Sequence, residues 1–130
     1  IQIEARVLGD LAMNHIIPTA TRYQTSLIDN VYKMRDLFPA DKSSVLSSRN
    51  LEIIEDIANR TNFIKEKVDE MVEARKVANK IGSEREKAIA YHDNIVPMLE
   101  AIRYHIDKLE LVVDDQIWTL PKYRELLFIR

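Results

Sequence analysis

The stretch Val77-Ala78-Asn79-Lys80-Ile81-Gly82-Ser83-Glu84-Arg85-Glu86 decides the fold. Gly82 stands where a helix commonly ends in a left-handed cap residue, and Ser83 with Glu86 three positions later spells a capping box for a new helix. Upstream, Leu51, Ile54, Ile57 or Ala58, Ile64, Val68, Met71 or Val72, Ala78 and Ile81 recur mostly at threes and fours. Downstream, Ala88, Tyr91, Ile95, Met98, Ile102, His105, Leu109 and Val112 form a near-heptad seam, which Leu99, Ile106 and Val113 widen. Two amphipathic helices joined by so short a turn must run antiparallel.

A third stripe precedes them: Val7, Leu11, Ile16 or Ile17, Ala20, Leu27, Val31, Met34 and Phe38. Pro18 lies inside this stripe, which predicts a kink or break between Ile17 and Thr19, with Thr19 or Thr21 recapping the chain. Pro97 predicts a bend in the last long helix. The segment Pro39-Ala40-Asp41-Lys42-Ser43-Ser44 reads as a loop. Thr119-Leu120-Pro121 reads as a fresh helical start. The expected architecture is all-α: an antiparallel three-helix bundle of long helices with a short C-terminal helix. Its helices are expected over 1–38, 45–81, 84–115 and 120–128 of one domain, 1–130.

Composition narrows the function classes. With 46% hydrophobic and 31% charged residues, a chain of 130 residues can bury a modest core. Lysine and arginine number 19 against 21 acids, the two signs interspersed. This argues against a phosphate-neutralising, nucleic-acid-binding surface. No apolar run approaches the roughly 20 residues of a membrane span. The absence of cysteine removes disulfides and thiolate metal sites, and is compatible with a cytoplasmic location.

Few residues point to chemistry. His15, His92 and His105 have no i, i+4 partner among themselves, and no Glu-x-x-His pair occurs for a carboxylate-bridged di-iron site. His105 reads as a boundary histidine of the seam, and His92 beside Asp93 as a solvated one. The serines of 43–48 and Ser83 read as capping residues. Asp114 and Asp115 read as an exposed helix terminator. Trp118, Tyr123 and Phe128 either anchor a partner or pack against the open end of the bundle. The first residues enter a helix without a cap or leader and the last end on an apolar cluster, so the chain is expected to be an excised piece with surface left uncovered.

Ala5-Arg6-Val7-Leu8-Gly9-Asp10-Leu11-Ala12, Asn14-His15-Ile16-Ile17-Pro18-Thr19-Ala20 and Arg22-Tyr23-Gln24 resemble the C-terminal region of type III glutamine synthetases. So do Val68-Asp69-Glu70-Met71-Val72-Glu73-Ala74-Arg75-Lys76, Arg85-Glu86-Lys87-Ala88-Ile89-Ala90-Tyr91, Ile102-Arg103-Tyr104-His105-Ile106-Asp107-Lys108-Leu109-Glu110, and Trp118 with Leu120-Pro121-Lys122-Tyr123-Arg124-Glu125-Leu126-Leu127-Phe128. The resemblance implies a parent enzyme of nitrogen metabolism. That enzyme joins ammonia to L-glutamate with ATP and Mg or Mn, through a glutamyl phosphate, in cytoplasmic stacked hexameric rings.

The family's metal, nucleotide and glutamate residues have no counterpart here, so no catalytic, cofactor-binding or metal residue carries over. The implied role is non-catalytic, with the parent's catalytic domain and neighbouring subunits as partners. The first helix would continue from that catalytic domain. The candidate packing and assembly surface is Leu8, Leu11 and Ile16 with Trp118, Tyr123 and Phe128. The alternative is a free-standing helical-bundle module for protein interaction.

Overall fold

The computed structural model describes residues 2–113, and among them every regular element is helical. The first rod is α1 (Gln2–Leu11), a π-helical turn (Ala12–Ile16) and α2 (Ile17–Leu37) in unbroken succession. The second is α3 (Ala40–Asn79). The third is α4 (Glu84–Ala90), a second π turn (Tyr91–Ile95) and α5 (Val96–Val112).

The prolines do not break the first and third rods, and the reason lies just upstream of each. Proline lacks an N–H and its ring collides with the carbonyl four residues back. Here the turn preceding each proline is widened. The Ile17 N–H donates to the Ala12 carbonyl and the Val96 N–H to the Tyr91 carbonyl, each five residues back rather than four. The extra residue in the turn accommodates Pro18 and Pro97 while the helix continues. The kink or break expected between Ile17 and Thr19 is therefore replaced by a π turn one step earlier. Neither threonine recaps: Thr19 is buried and accepts from the Arg22 guanidinium at 3.3 Å, and Thr21 is exposed within α2.

The expected loop over 39–44 is also corrected. Only Phe38 and Pro39, both extended in ψ, separate α2 from α3, and the helix begins at Ala40 rather than 45. Pro39 supplies the non-helical residue before the first turn, and the Ser43 N–H already donates to its carbonyl at 2.8 Å. The serines do not cap: Ser43 and Ser48 donate back to the carbonyls of Ala40 and Val45, and Ser47 donates to the Met34 sulfur. At the other end α3 stops at Asn79, tightened by Lys80 N–H to Val77 O and Ile81 N–H to Ala78 O. Gly82 is not left-handed, which removes the special role expected of it. Ser83 does cap, accepting the Glu86 N–H at 3.3 Å. The last described helix ends at Val112, with Val113 extended, rather than at 115. The expected helix over 120–128 and the acidic pair Asp114-Asp115 lie outside the described residues.

Side-chain pairings fix the register. The Gln24 amide donates to the Ile54 carbonyl at 3.0 Å, Asn50 donates to Asn30 at 3.0 Å, and Tyr91 donates to Asn79 at 2.6 Å. Neighbouring rods are thus antiparallel, with α3 between its partners. At the far end of the first rod, Arg103 of α5 pairs with Glu4 at 3.4 Å, so α1 also reaches the third rod.

The core follows from the spacing. Ile57, Ile64, Met71 and Ala78 recur every seven residues on α3, each at most 3% exposed. On the third rod Tyr91 is buried, and from Ile95 onward the buried apolar residues Ile95, Leu99, Ile102, Ile106, Leu109 and Val113 alternate steps of four and three. This set joins Ile95, Ile102 and Leu109 of the near-heptad seam to Leu99, Ile106 and Val113, the residues expected to widen it. Met98, His105 and Val112 sit at its edge, and Ala88 is exposed.

Gly9 is buried where α1 crosses α3. A Cβ there would sit 3.6 Å from Met71 Cε and 3.7 Å from Val68 Cγ1, which is ordinary contact. Glycine inside a helix costs about 0.5–1 kcal/mol relative to alanine through backbone entropy. Gly9→Ala should therefore stabilise the chain by about that amount, seen as a higher urea midpoint with unchanged slope.

Candidate functional site

The described half of the candidate surface is placed inside the molecule. Leu8 and Ile16 are 7% and 3% exposed and belong to the bundle's own core, while Leu11 packs against that core from its edge. Trp118, Tyr123 and Phe128 lie outside the described residues. The apolar side chains that α1 turns to solvent are different ones: Ile3, 77% exposed, and Val7, 60% exposed. The spacing signal did not separate the faces, because Val7 and Leu8 are adjacent and either could start a stripe. What selects Leu8 is its run with Ala5 and Ala12, both fully buried, into the π turn.

A polar cluster centred on Arg60 ties α3 to α5. The Arg60 Nε lies 3.1 Å from both carboxylate oxygens of Asp56, one turn earlier on α3, and its Nη1 lies 2.9 Å from His105 Nδ1 on α5. The His105 ring also lies over Phe63, with centroids 4.1 Å apart. Because a guanidinium only donates, Nδ1 must be the acceptor and the ring proton must sit on Nε2. Burial, then the positive charge of Arg60, holds His105 below its ordinary pKa, with Asp56 acting in the opposite sense. The arrangement is a neutral imidazole locking a charged pair to the neighbouring helix.

Elsewhere the charges pair along α3: Arg49 with Glu52, Lys67 with Glu70, and Lys76 with Glu73. The interspersed signs noted in the sequence resolve into these pairs. Their i, i+3 spacing was the available signal. His92 meets Asp93 at 3.3 Å on the surface, and His15 is exposed. Among the described residues no group of three or more His, Asp or Glu comes together as a metal site. Open grooves of about 460, 300 and 500 Å³ run beside the rods.

The family described as glutamine synthetase C-terminal domain matches residues 1–35, which cover α1, the first π turn and most of α2. A glutamine synthetase of Bacteroides fragilis (strain YCH46) is 51% identical over 130 residues, the whole of this chain. A type-3 glutamine synthetase of Dictyostelium discoideum is 25% identical over the same 130 residues. The chain is thus similar over its whole length to these glutamine synthetases, and its first 35 residues match the C-terminal domain family. It spans 18% of the length of each of these glutamine synthetases. No helix among the described residues is long and apolar enough to cross a membrane.

Within this chain, the His105 cluster makes stability depend on pH. The folded chain holds the imidazole neutral to a lower pH than the unfolded chain does, so the unfolded state binds more protons on acidification. The His105 contribution is complete above the ordinary histidine value of about 6.5 and is lost as pH falls below it. Urea midpoints measured on either side of that value should fall on acidification, and the fall should flatten in His105→Asn.

Proposed function

We propose that this chain is the non-catalytic C-terminal helical domain of an ATP-dependent glutamate–ammonia ligase, and that it serves as a packing and assembly element. The parent enzyme would work in the cytoplasm with ATP and Mg or Mn. The partners of this domain would be its own catalytic domain and the neighbouring subunits of a homo-oligomeric ring. The observation that carries the reading is the similarity to the two glutamine synthetases over the whole chain, at only 18% of their length. The described rods add physical support, since outward apolar side chains such as Ile3 and Val7 surround a packed core.

Leu8 and Ile16 are committed to the bundle, so the assembly contact on α1 is assigned to Ile3 and Val7, one turn apart on the outward face. Burying each large aliphatic side chain is worth roughly 1.5–3 kcal/mol, enough for two to bias association. The test is Ile3→Ser with Val7→Ser in the full-length enzyme, read by native mass and helix content. Retained helicity with a smaller assembly is expected. An assembly of unchanged mass and stability would refute the role of this face.

A further inference from the structure

We propose that the groove between α1 and α3 receives an acidic side chain of the neighbouring subunit, held by Arg6 and Arg75, which rests on the assembly role proposed above. Both arginines line this groove of about 300 Å³, one from each helix. Gly9 of α1 faces Val68 and Met71 of α3. Because the rods are antiparallel, Arg6, three residues before Gly9, lies about 4.5 Å further towards the C-terminal end of α3, at 1.5 Å per residue. That is the level of Val72 and Arg75.

The pair is marked by the acid it lacks. Among the described residues neither guanidinium has a hydrogen-bond or ion-pair partner. Arg49, Arg60, Lys67 and Lys76 of α3 each hold an acid on their own helix. One turn from Arg75, by contrast, stand Met71, Val72, Ala78 and Asn79, none of them acidic. Asp10 lies one turn beyond Arg6 and lines the groove, yet forms no ion pair with it. The Arg75 Nε is closed off from solvent without an acceptor. Its stem is therefore held by packing, and the guanidinium loses little freedom when an oxyanion arrives.

Charge and position name the occupant. Two guanidinium forks in one groove suit a carboxylate, whose paired oxygens accept their N–H groups side by side. Ile3, exposed one turn before Arg6, makes the groove border the outward face assigned above to the neighbouring subunit.

Arg75→Lys in the full-length enzyme sets a primary amine in the groove, and a carbodiimide joins an amine to a carboxylate that touches it. The expected product, absent from the unsubstituted enzyme, is a pair of subunits joined by an amide from position 75 to an Asp or Glu of the other subunit. It would be seen on a denaturing gel and mapped by mass spectrometry. Arg85→Lys, on the exposed start of α4, should give no such pair. Arg75→Glu should raise the concentration needed for assembly by about tenfold or more with helix content unchanged, and Arg85→Glu should not. An amide formed only within one subunit, to Asp10 or elsewhere, would overturn the proposal. So would normal assembly of Arg75→Glu, or an equal loss in Arg85→Glu, which would make the effect one of net charge. Loss of assembly on Ile3→Ser with Val7→Ser, but no joined subunits from Arg75→Lys, would refute the carboxylate contact and leave the assembly role standing.

Discussion

Leu8→Ser should lower the unfolding free energy by about 2–5 kcal/mol, the range for removing a buried large aliphatic side chain. Leu8 is 7% exposed among Ala5, Ala12 and the side chains of α3, so a hydroxyl there would also be buried away from water. Ile3→Ser, five residues earlier on the same helix, should change stability by less than about 0.5 kcal/mol, because Ile3 is already in solvent. Urea denaturation of the two variants side by side measures the difference. Equal losses would mean that α1 does not lie on the bundle as described.

Ile64→Ala should cost a similar amount, about 2–5 kcal/mol, with Ile64→Val costing about 0.5–1.5 kcal/mol. Ile64 has no exposed surface and occupies the middle of the seven-residue series Ile57, Ile64, Met71 and Ala78 on α3, the helix shared by both neighbours. A cavity at that point cannot be closed by moving one rod without opening a gap against the other, so the cost should fall in the upper part of the range. Thermal unfolding of both variants checks it. A loss for Ile64→Ala no larger than that for Ile64→Val would show that the site collapses freely and is not the packed centre.

Helical architecture was legible because the apolar periods are long and only two residues, Gly82 and Ser83, punctuate the second and third rods. The exact seam was less legible. Ile102 and Leu109 belong to both possible registers of the last rod, and the π turn before Pro97 sets the phase in favour of Leu99, Ile106 and Val113. The same effect misled the reading at Pro18, where proline was expected to interrupt the helix. One residue of slack between Ala12 and Ile17 removed the collision instead.

The Pro39 to Ser44 segment looked like a loop from its composition. Yet Ser43 and Ser47 satisfy their hydroxyls within the hairpin, on the Ala40 carbonyl and the Met34 sulfur, and the helix starts at once. The outward face of α1 was the least legible feature. Leu8 and Val7 are equally apolar, and only packing against α3 distinguishes the side chain that builds the core from the one left facing outward. The Arg60 cluster was half visible, since Asp56 and Arg60 are a standard i, i+4 pair. Its link to His105, 45 positions later, depends on the register of two rods.

Leu8 lies in the interior of the described bundle, and Ile3 and Val7 are proposed to meet the rest of the enzyme. Hydroxyl-radical footprinting of the isolated chain and of the assembled full-length enzyme tests it most directly. Leu8 should stay unreactive in both, and Ile3 and Val7 should react in the isolated chain and become protected on assembly. Ile3 and Val7 equally reactive in both samples, or Leu8 reactive in the isolated chain, would contradict the account.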